Sequence, residues 1–570
     1  MTAVRAVRVI TEVGAVDRPF DYSLNEAMAH CAVGDRVRVD LNNRSVRGWI
    51  VGDVDAEREL KPIMKWLGFG PPSELLGLLE WASERWFSPL SRFLVSSSPR
   101  RLITSLPERP PARELSRDIG AAALHVAPGT LQVAPVADPL PLVLGAYEAT
   151  RLRGGSLLVL VPTEAWAKRL RGRLEQRGLA VASGEQEWDR MRAGWPVVVG
   201  SRGAALAPVP HLAGAVIIDA DDEAYRSEAS PTWDAFTMLV ERCARADAPL
   251  WATSMIPSPR LIGSGAYEKI GDVDHGWPKI SIIDRRHTDP RDGVLARSAL
   301  DAAHRALRSD EPIAVAVLLQ RLGSGRLFAC RSCGELARCA TCGQAELEVQ
   351  GKLSCREGHE ARANFCRSCG ATNLKPVRAG VTTLARDVAA QLAQPVSEIT
   401  SSSDVQATLA RVVVGTEAVW QRVRRCGVVI FVDFDQYLLA PRETARRTAI
   451  NAAGKSGRMV GARNEGRGLV VIQTRRGDDP VLQALERADF DDIVREDVVT
   501  AQLLELAPYG ASAHVSGESA AEFVLQFETT AVKVHRVGDD YVLRAANIDT
   551  LTRALRSVSR PPGRLRVAVE

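Results

Sequence analysis

Seven of the chain's ten cysteines fall within forty residues, as Cys330-x-x-Cys333, Cys339-x-x-Cys342, Cys355 and Cys366-x-x-Cys369. No other feature constrains the fold as strongly, because each CxxC brings two thiolates within reach of one tetrahedral metal. Gly334, Gly343 and Gly370 directly follow the three pairs and allow the tight turn such a knuckle needs. Zinc is the expected ion, with an iron-sulfur cluster as the lesser alternative. A disulfide framework would need an oxidising compartment, and Met1-Thr-Ala-Val-Arg-Ala6 shows no apolar signal core, so reduced cytosolic thiols are expected. Cys31, Cys243 and Cys426 read as ordinary small core residues.

Seven cysteines are one short of two four-cysteine sites, and the group lacking a partner is that of Cys355. The position three residues on is Gly358, but His359 follows and gives a C-x3-H spacing that zinc accepts through an imidazole nitrogen. The alternative is a solvated loop histidine and a second site that is weak or empty.

At 570 residues the chain exceeds one core and suggests roughly three to five domains. It has no run of about 18 uncharged apolar residues, so a soluble, cytoplasmic protein with no membrane partner is expected. The net charge is only +4, from 73 basic and 69 acidic residues, so distribution matters more than the sum. Arginines cluster at Arg100 and Arg101, at Arg422, Arg424 and Arg425, at Arg442, Arg446 and Arg447, and from Arg553 to Arg566. One or two of these clusters are expected to contact DNA phosphates.

Residues 1–66 contain period-two stretches such as Arg36-Val-Arg-Val39 and a strand-like Arg47-Gly-Trp-Ile-Val51, which predict a small β domain. Leu75 to Trp86 has helical spacing and suits a compact helical or winged-helix element. The Pro- and Ala-rich stretch from about Pro107 to Pro141 reads as linker. Apolar runs at 156–162, 196–200 and 213–219 then predict parallel strands of one α/β domain, and runs at 313–319, 411–415, 427–433 and 468–473 those of a second, interrupted by the cysteine module. The tail from about Asp497 reads as a small α+β domain.

Two tandem α/β domains describe a helicase-like motor, which needs a GxxxxGK[ST] loop for the phosphates and an acidic strand end for magnesium and the attacking water. Neither is intact. The strand Ala215-Val-Ile-Ile218 ends in Asp219-Ala220-Asp221-Asp222, with Ala220 where the catalytic carboxylate belongs. Upstream of the Ser156 strand the chain runs Pro135-Val-Ala-Asp-Pro-Leu-Pro-Leu142, and no lysine occurs between Lys65 and Lys168. Prolines also remove amide donors that would cradle phosphate.

In Arg18-Pro-Phe-Asp-Tyr22, Val33-Gly-Asp-Arg-Val-Arg-Val39, Leu158-Val-Leu-Val-Pro-Thr-Glu164, Gly200-Ser-Arg-Gly203, Ser254-Met-Ile-Pro-Ser258, Val412-Val-Val-Gly-Thr-Glu417, Ala453-Gly-Lys-Ser-Gly-Arg458 and the cysteine module, the chain resembles the PriA family of bacterial primosomal replication-restart proteins from end to end. Lys455 stands where the family has an arginine, and a glycine of its DNA-end pocket is replaced within Asp40 to Asn43. The resemblance implies a multidomain α/β fold. Its parts are a β-rich domain that captures a DNA 3′ end (1–66), a winged-helix-like domain (70–112), two RecA-like helicase lobes (125–295, then 296–328 with 376–492), a zinc-binding insertion (329–375) and a C-terminal α+β domain (493–570).

The resemblance also implies site residues: Phe20, Asp21 and Lys61 for the 3′ end; Cys330, Cys333, Cys366 and Cys369 for one zinc; Cys339, Cys342, Cys355 and His359 for a second. Implied partners are forked and single-stranded DNA, single-strand-binding protein, and primosome or helicase-loading factors. With the motor motifs degraded, the expectation is fork recognition and primosome assembly without ATPase or helicase activity, and with no catalytic or nucleotide-binding residues assigned. The alternatives are an active ATP-dependent 3′-to-5′ DNA helicase of the same family and a zinc-ribbon transcription or RNA-binding scaffold.

Overall fold

Alternation of apolar and polar residues sets the N-terminal sheet. In this computed structural model the described residues are 5–13, 18–55, 59–271, 273–289, 291–320, 328–341, 346–349, 352–355, 359, 361–376, 381–400, 403, 409–439, 442–466, 468–527 and 531–570. Strands β1 (Ala6–Thr11), β2 (Phe20–Ser23), β3 (Arg36–Leu41), β4 (Arg44–Val54) and β5 (Lys65–Gly68) form an antiparallel sheet in the order β2-β1-β4-β3-β5. Period two puts Val7, Val9, Tyr22, Val37, Val39 and Ile50 into one core. Asn42 and Asn43, both at positive φ (52° and 62°), close the β3–β4 hairpin with the turn geometry that matches strand twist.

Helices α1 (Ser73–Arg85) and α2 (Leu90–Ser97) follow. Leu75, Leu78, Leu79 and Ala82 recur at helical spacing and are buried along α1. The extended segment after α2 ties back to the sheet, with Arg36 Nη1 donating to the Pro99 carbonyl at 2.8 Å and Trp49 Nε1 to Ser98 Oγ at 2.8 Å.

The first parallel lobe is built on the runs expected to be buried strands, observed at Ser156–Leu160, Val197–Gly200 and Leu212–Ile217 and joined by Leu250–Ser254. The segment 107–141 is not only linker. Its strand Gly129–Gln132 enters this sheet beside Leu250–Ser254, and a helix starts at Leu140. The four strand residues, within the six between Pro128 and Pro135, are too few to show periodicity, so the strand is set by pairing rather than by local pattern.

The second lobe is a six-stranded sheet in the order Lys279–Asp284, Leu469–Thr474, Val428–Phe431, Val315–Leu318, Val412–Gly415, Val396–Ile399, parallel throughout. The expected lobe boundary at 295/296 therefore falls too late, because Lys279–Asp284 pairs residue for residue with Leu469–Thr474. It is a half-exposed edge strand and lacks the continuous apolar run of a central parallel strand.

The cysteine module does interrupt this second lobe. Phe328–Cys330 pairs with Leu374–Pro376, and Glu346–Val349, Lys352–Cys355 and Arg362–Ala363 form a small antiparallel sheet. The C-terminal sheet runs Val532–Val537, Asp540–Ala545, Ala511–Ser516, Arg566–Val569, with the helix Ile548–Ser557 against it.

The chain divides into two units. One contains residues 1–131, 138–268 and 498–570; the other contains 132–137 and 269–497. In the first, one continuous core joins α1, α2, the first parallel sheet and the C-terminal sheet, with Phe87 and Phe523 rings 5.6 Å apart and Glu84 ion-paired to Arg556. Among the described residues, no helix is long and apolar enough to cross a membrane.

Candidate metal centre and motor-like site

Two matching knuckles build the first cysteine group. The Cys330 amide donates to the Glu335 carbonyl and the Gly334 amide to the Cys330 carbonyl; in the second, the Cys366 amide donates to Ala371 and the Gly370 amide to Cys366. Gly334 and Gly370 sit at φ 78° and 73°, the left-handed conformation a side chain disfavours. The strand pairing of Cys330 with Leu374 brings the knuckles face to face. The sulfurs of Cys330, Cys333, Cys366 and Cys369 then lie within 4.8 Å of one another, with Cys330–Cys369 and Cys333–Cys366 at 3.5 Å. A tetrahedron of about 2.3 Å metal–sulfur bonds has edges of roughly 3.8 Å, so the four fit one ion. Burial pushes the Cys330 thiol up, but hydrogen bonds from the Cys333 and Ser332 amides and the Cys369 and Cys333 thiols hold it below its usual range, while Cys333 and Cys369 are pushed up, so one sulfur of the set carries the negative charge first.

The second group brings together Cys339, Cys355 and His359, again within 4.8 Å, with Cys339 Sγ 3.5 Å from His359 Nδ1. His359 therefore lies among sulfurs. Cys342, Gly343 and Gly358 lie outside the described residues. Both groups could hold metal ions. Cys31, Cys243 and Cys426 are buried apart from them, and desolvation pushes their thiols up, to about 11 at Cys31 and about 12 at Cys243.

In the N-terminal sheet, strand alternation puts Phe20 against the core beside Tyr22 and turns Asp21 to the opposite face. Asp21 Oδ1 accepts from Arg8 Nε at 3.2 Å, its cross-strand partner. Lys61 Nζ donates to Asp40 Oδ2 at 3.0 Å, and Arg18 lies 5.1 Å from the Phe20 ring. Asp21 and Lys61 are thus paired to other charges, and the partner of Lys61, Asp40, opens the stretch Asp40 to Asn43 in which the family's glycine is replaced.

The motor-like motifs occupy strand ends. Asp219 follows the Leu212–Ile217 strand with φ 54°, and its amide donates to Thr253 Oγ1 at 3.0 Å. Ala220 points into the main core at 1% exposure. Asp221 Oδ2 accepts from Ser254 Oγ at 3.0 Å and from the Ser258 amide at 2.9 Å, joining two of the family-like segments. Glu164 and Ser201 join another two.

Where a phosphate loop would precede a helix, Pro139 and Pro141 flank the start of Leu140–Thr150. Asp138 Oδ1 accepts the Leu140 amide at 3.0 Å, and its carboxylate is gripped by Arg173 at 2.7 and 2.5 Å. Burial alone would raise the Asp138 carboxyl, yet the Arg173 and Leu140 hydrogen bonds with the Arg173 and Arg177 charges hold it below its ordinary value. Sequence reading found the missing lysine but not this carboxylate cap. The Asp-Pro-x-Pro order was the available signal, since Asp favours helix starts. In the second unit, Lys455 lies 5.6 Å from the Trp420 ring and Arg458 Nε donates to the Pro135 carbonyl at 2.8 Å.

Residues 8–99 match the family model of the PriA 3′ DNA-binding domain. A replication restart protein PriA from Treponema pallidum is 26% identical over 411 residues, covering 64% of this chain and 60% of that protein. The Synechocystis PriA is 24% identical over 418 residues, covering 63% and 48%, and the Bacillus subtilis PriA is 26% identical over 258 residues, covering 41% and 32%. The chain thus spans about half the length of the curated relatives it matches. Among solved structures, yeast Dbp5 bound to RNA and ADP BeF3 is 11% identical with TM-score 0.37, covering 67% of this chain and 93% of that one. RecG bound to a three-way DNA junction is 10% identical with TM-score 0.35, covering 74% and 51%. Residues 8–99 thus match a PriA 3′ DNA-binding domain, and the chain is similar to replication restart proteins PriA over more than 60% of its length.

Proposed function

We propose that this protein recognises abandoned or stalled replication forks and promotes primosome assembly and replicative-helicase loading without a working motor of its own. The observation that carries the reading is Asp138. A helix N-terminus attracts phosphate through free amides and a positive dipole end. Here the Asp138 carboxylate, itself held by Arg173, already takes the Leu140 amide, two prolines bracket that end and no lysine is near in sequence, so a nucleotide triphosphate would meet few free donors. Ala220 removes the carboxylate that would orient water. The retained 3′ DNA-binding domain supports capture of a nascent DNA end, with Phe20, Asp21 and Lys61 as its contact residues. Zinc held by Cys330, Cys333, Cys366 and Cys369, and a second ion by Cys339, Cys342, Cys355 and His359, would pin the insertion. Forked and single-stranded DNA, single-strand-binding protein and helicase-loading factors are the partners the family relationship suggests.

The test is ATP turnover by the metal-loaded protein with and without saturating forked DNA, at low salt. No stimulated turnover alongside tight fork binding is expected. DNA-stimulated turnover abolished by Asp219→Ala would mean a working motor and overturn the reading.

A further inference from the structure

The arginine clusters most conspicuous in sequence are largely committed to partners within the fold. Arg100 pairs with Glu185, Arg101 with Asp189, Arg425 with Glu311, Arg446 with Glu496, and Arg447 with Asp497. Two other arginines behave differently, and sequence distance conceals them.

The strands Lys279–Asp284 and Leu469–Thr474 are neighbours in parallel register, with Asp284 opposite Thr474. Each ends in an Arg-Arg dipeptide, Arg285-Arg286 and Arg475-Arg476. In both, the second arginine is neutralised: Arg286 by Asp284 and Asp478, Arg476 by Asp479. The first is not. Arg285 donates through Nη2 to the Gly293 carbonyl at 2.9 Å, while its Nη1 is buried with no hydrogen-bond partner among the described residues. Arg475 is fixed through its backbone amide, which donates to Asp435 Oδ1 and Oδ2 at 3.1 and 2.9 Å. No hydrogen bond or ion pair of its guanidinium occurs among the described residues. Burial, and then the charge of Arg475, hold Arg285 below its ordinary value, so the two cations feel each other; Asp292 acts the other way.

Two like charges side by side, one with an orphaned buried donor, form a costly arrangement unless an anion completes it. They also stand just beyond the carboxyl ends of parallel strands, where α/β sheets bind ligands. We propose that Arg285 and Arg475 together bind a backbone phosphate of single-stranded DNA. This rests on the DNA-binding reading above. A pair of planar forks suits a phosphate diester, whose oxygens accept from two guanidiniums at once.

The experiment is fluorescence anisotropy of a labelled oligo-dT strand with the full-length protein across a salt series, comparing wild type with Arg285→Gln, Arg475→Gln, the double variant and Arg425→Gln as control. Losing the one phosphate that both arginines share should flatten the slope of log affinity against log salt by about 0.7 in the double variant and by no more than that in each single variant, with no change for Arg425→Gln. Lysine at both positions should keep most of the slope, which separates charge from misfolding. A double variant that matches a tightly binding wild type overturns the pair but leaves DNA binding standing; a wild type with no salt-dependent binding overturns both. Loss of ADP or inorganic phosphate binding with an unchanged DNA slope would assign the pair to a free phosphate and overturn the proposal.

Discussion

Asp138 and Arg173 form a two-pronged ion pair at the head of the helix Leu140–Thr150, Nη1 to Oδ1 at 2.7 Å and Nη2 to Oδ2 at 2.5 Å. The same Oδ1 accepts the Leu140 amide, so one carboxylate caps the helix and neutralises an arginine. Removing it should not create a nucleotide site, because Pro139 and Pro141 still withhold their amides. Asp138→Ala should cost about 1 kcal/mol through the lost cap, with the half-exposed ion pair adding little, and should bring no gain in ATP binding. The depressed Asp138 carboxyl makes its contribution complete above the ordinary carboxylate value of 3.8 and lost as pH falls through the lower folded value. Wild type and variant should therefore converge in melting temperature under strongly acidic conditions; ATP binding gained by the variant would contradict this account.

Ala220 marks the other lost motor element. At 1% exposure its methyl sits in the main core, so Ala220→Glu would place a carboxylate among apolar side chains. Such an uncompensated charge costs about 3–5 kcal/mol. The expected result is a lower melting temperature with no ATP turnover. Restored DNA-stimulated turnover in this single variant would show that the phosphate site needs no loop at all.

Asp435 predicts a pH signature in the second unit. It is fully buried and pushed up to about 6, by desolvation first and then by the charge of Asp433, while Thr474, the Arg475 amide and the Arg475 charge oppose the rise. A raised acid binds its proton more tightly folded than unfolded. Its penalty is therefore absent below about pH 4, grows as pH rises, and is complete above about 6. Asp435→Asn should gain on wild type by on the order of 1–3 kcal/mol between those limits, whatever constant cost its lost acceptor adds. Denaturant melts of both proteins across that range check it, and a flat difference would refute it.

Much of this architecture was legible from patterns intrinsic to short segments. Runs such as Val412-Val-Val-Gly415 are apolar enough to read as buried parallel strands, and each CxxC marks two sulfurs that meet, whereas which pairs share a site was implied by the family resemblance alone. What escaped depended on pairing. Gly129–Gln132 and Lys279–Asp284 are strands only because a neighbour accepts them, and the second set the lobe boundary. The adjacency of Arg285 and Arg475 follows from register between segments nearly two hundred residues apart, which no local pattern carries. Phe20, Asp21 and Lys61 show a related limit: the family resemblance suggested a pocket, whereas strand alternation decides which face each strand side chain occupies.

The cysteine groups should be separable. Cys369→Ser removes a sulfur from the four-thiolate set and should lower metal content by one ion per chain while opening the Phe328–Cys330 and Leu374–Pro376 pairing to protease. Cys355→Ser should release the other ion and leave that pairing protected. Metal quantification with limited proteolysis reads both. Simultaneous loss of both ions from either variant would mean a single shared cluster.

The N-terminal sheet offers the sharpest functional test. Asp21 is held at 3.2 Å by Arg8 with its side chain partly exposed, so it can exchange that partner for a sugar hydroxyl at a DNA end. A hydrogen bond to a charged group contributes about 1.5–3 kcal/mol, on the order of a tenfold to hundredfold change in affinity. Asp21→Ala should weaken binding to a fork with a free nascent 3′ hydroxyl by about that factor and leave a fork with a 3′-blocked strand nearly unchanged. Lys61→Ala should lower both modestly, because its ammonium lies over half exposed beside Asp40 and acts as a screened charge rather than a directed contact. Equal losses for Asp21→Ala on free and blocked ends would mean that Asp21 supports the sheet through Arg8 and does not read the end. The Arg8→Ala variant then decides the cause: if Asp21 meets the hydroxyl, releasing it from Arg8 should preserve discrimination between the two forks, whereas a purely structural pair would lose affinity for both alike.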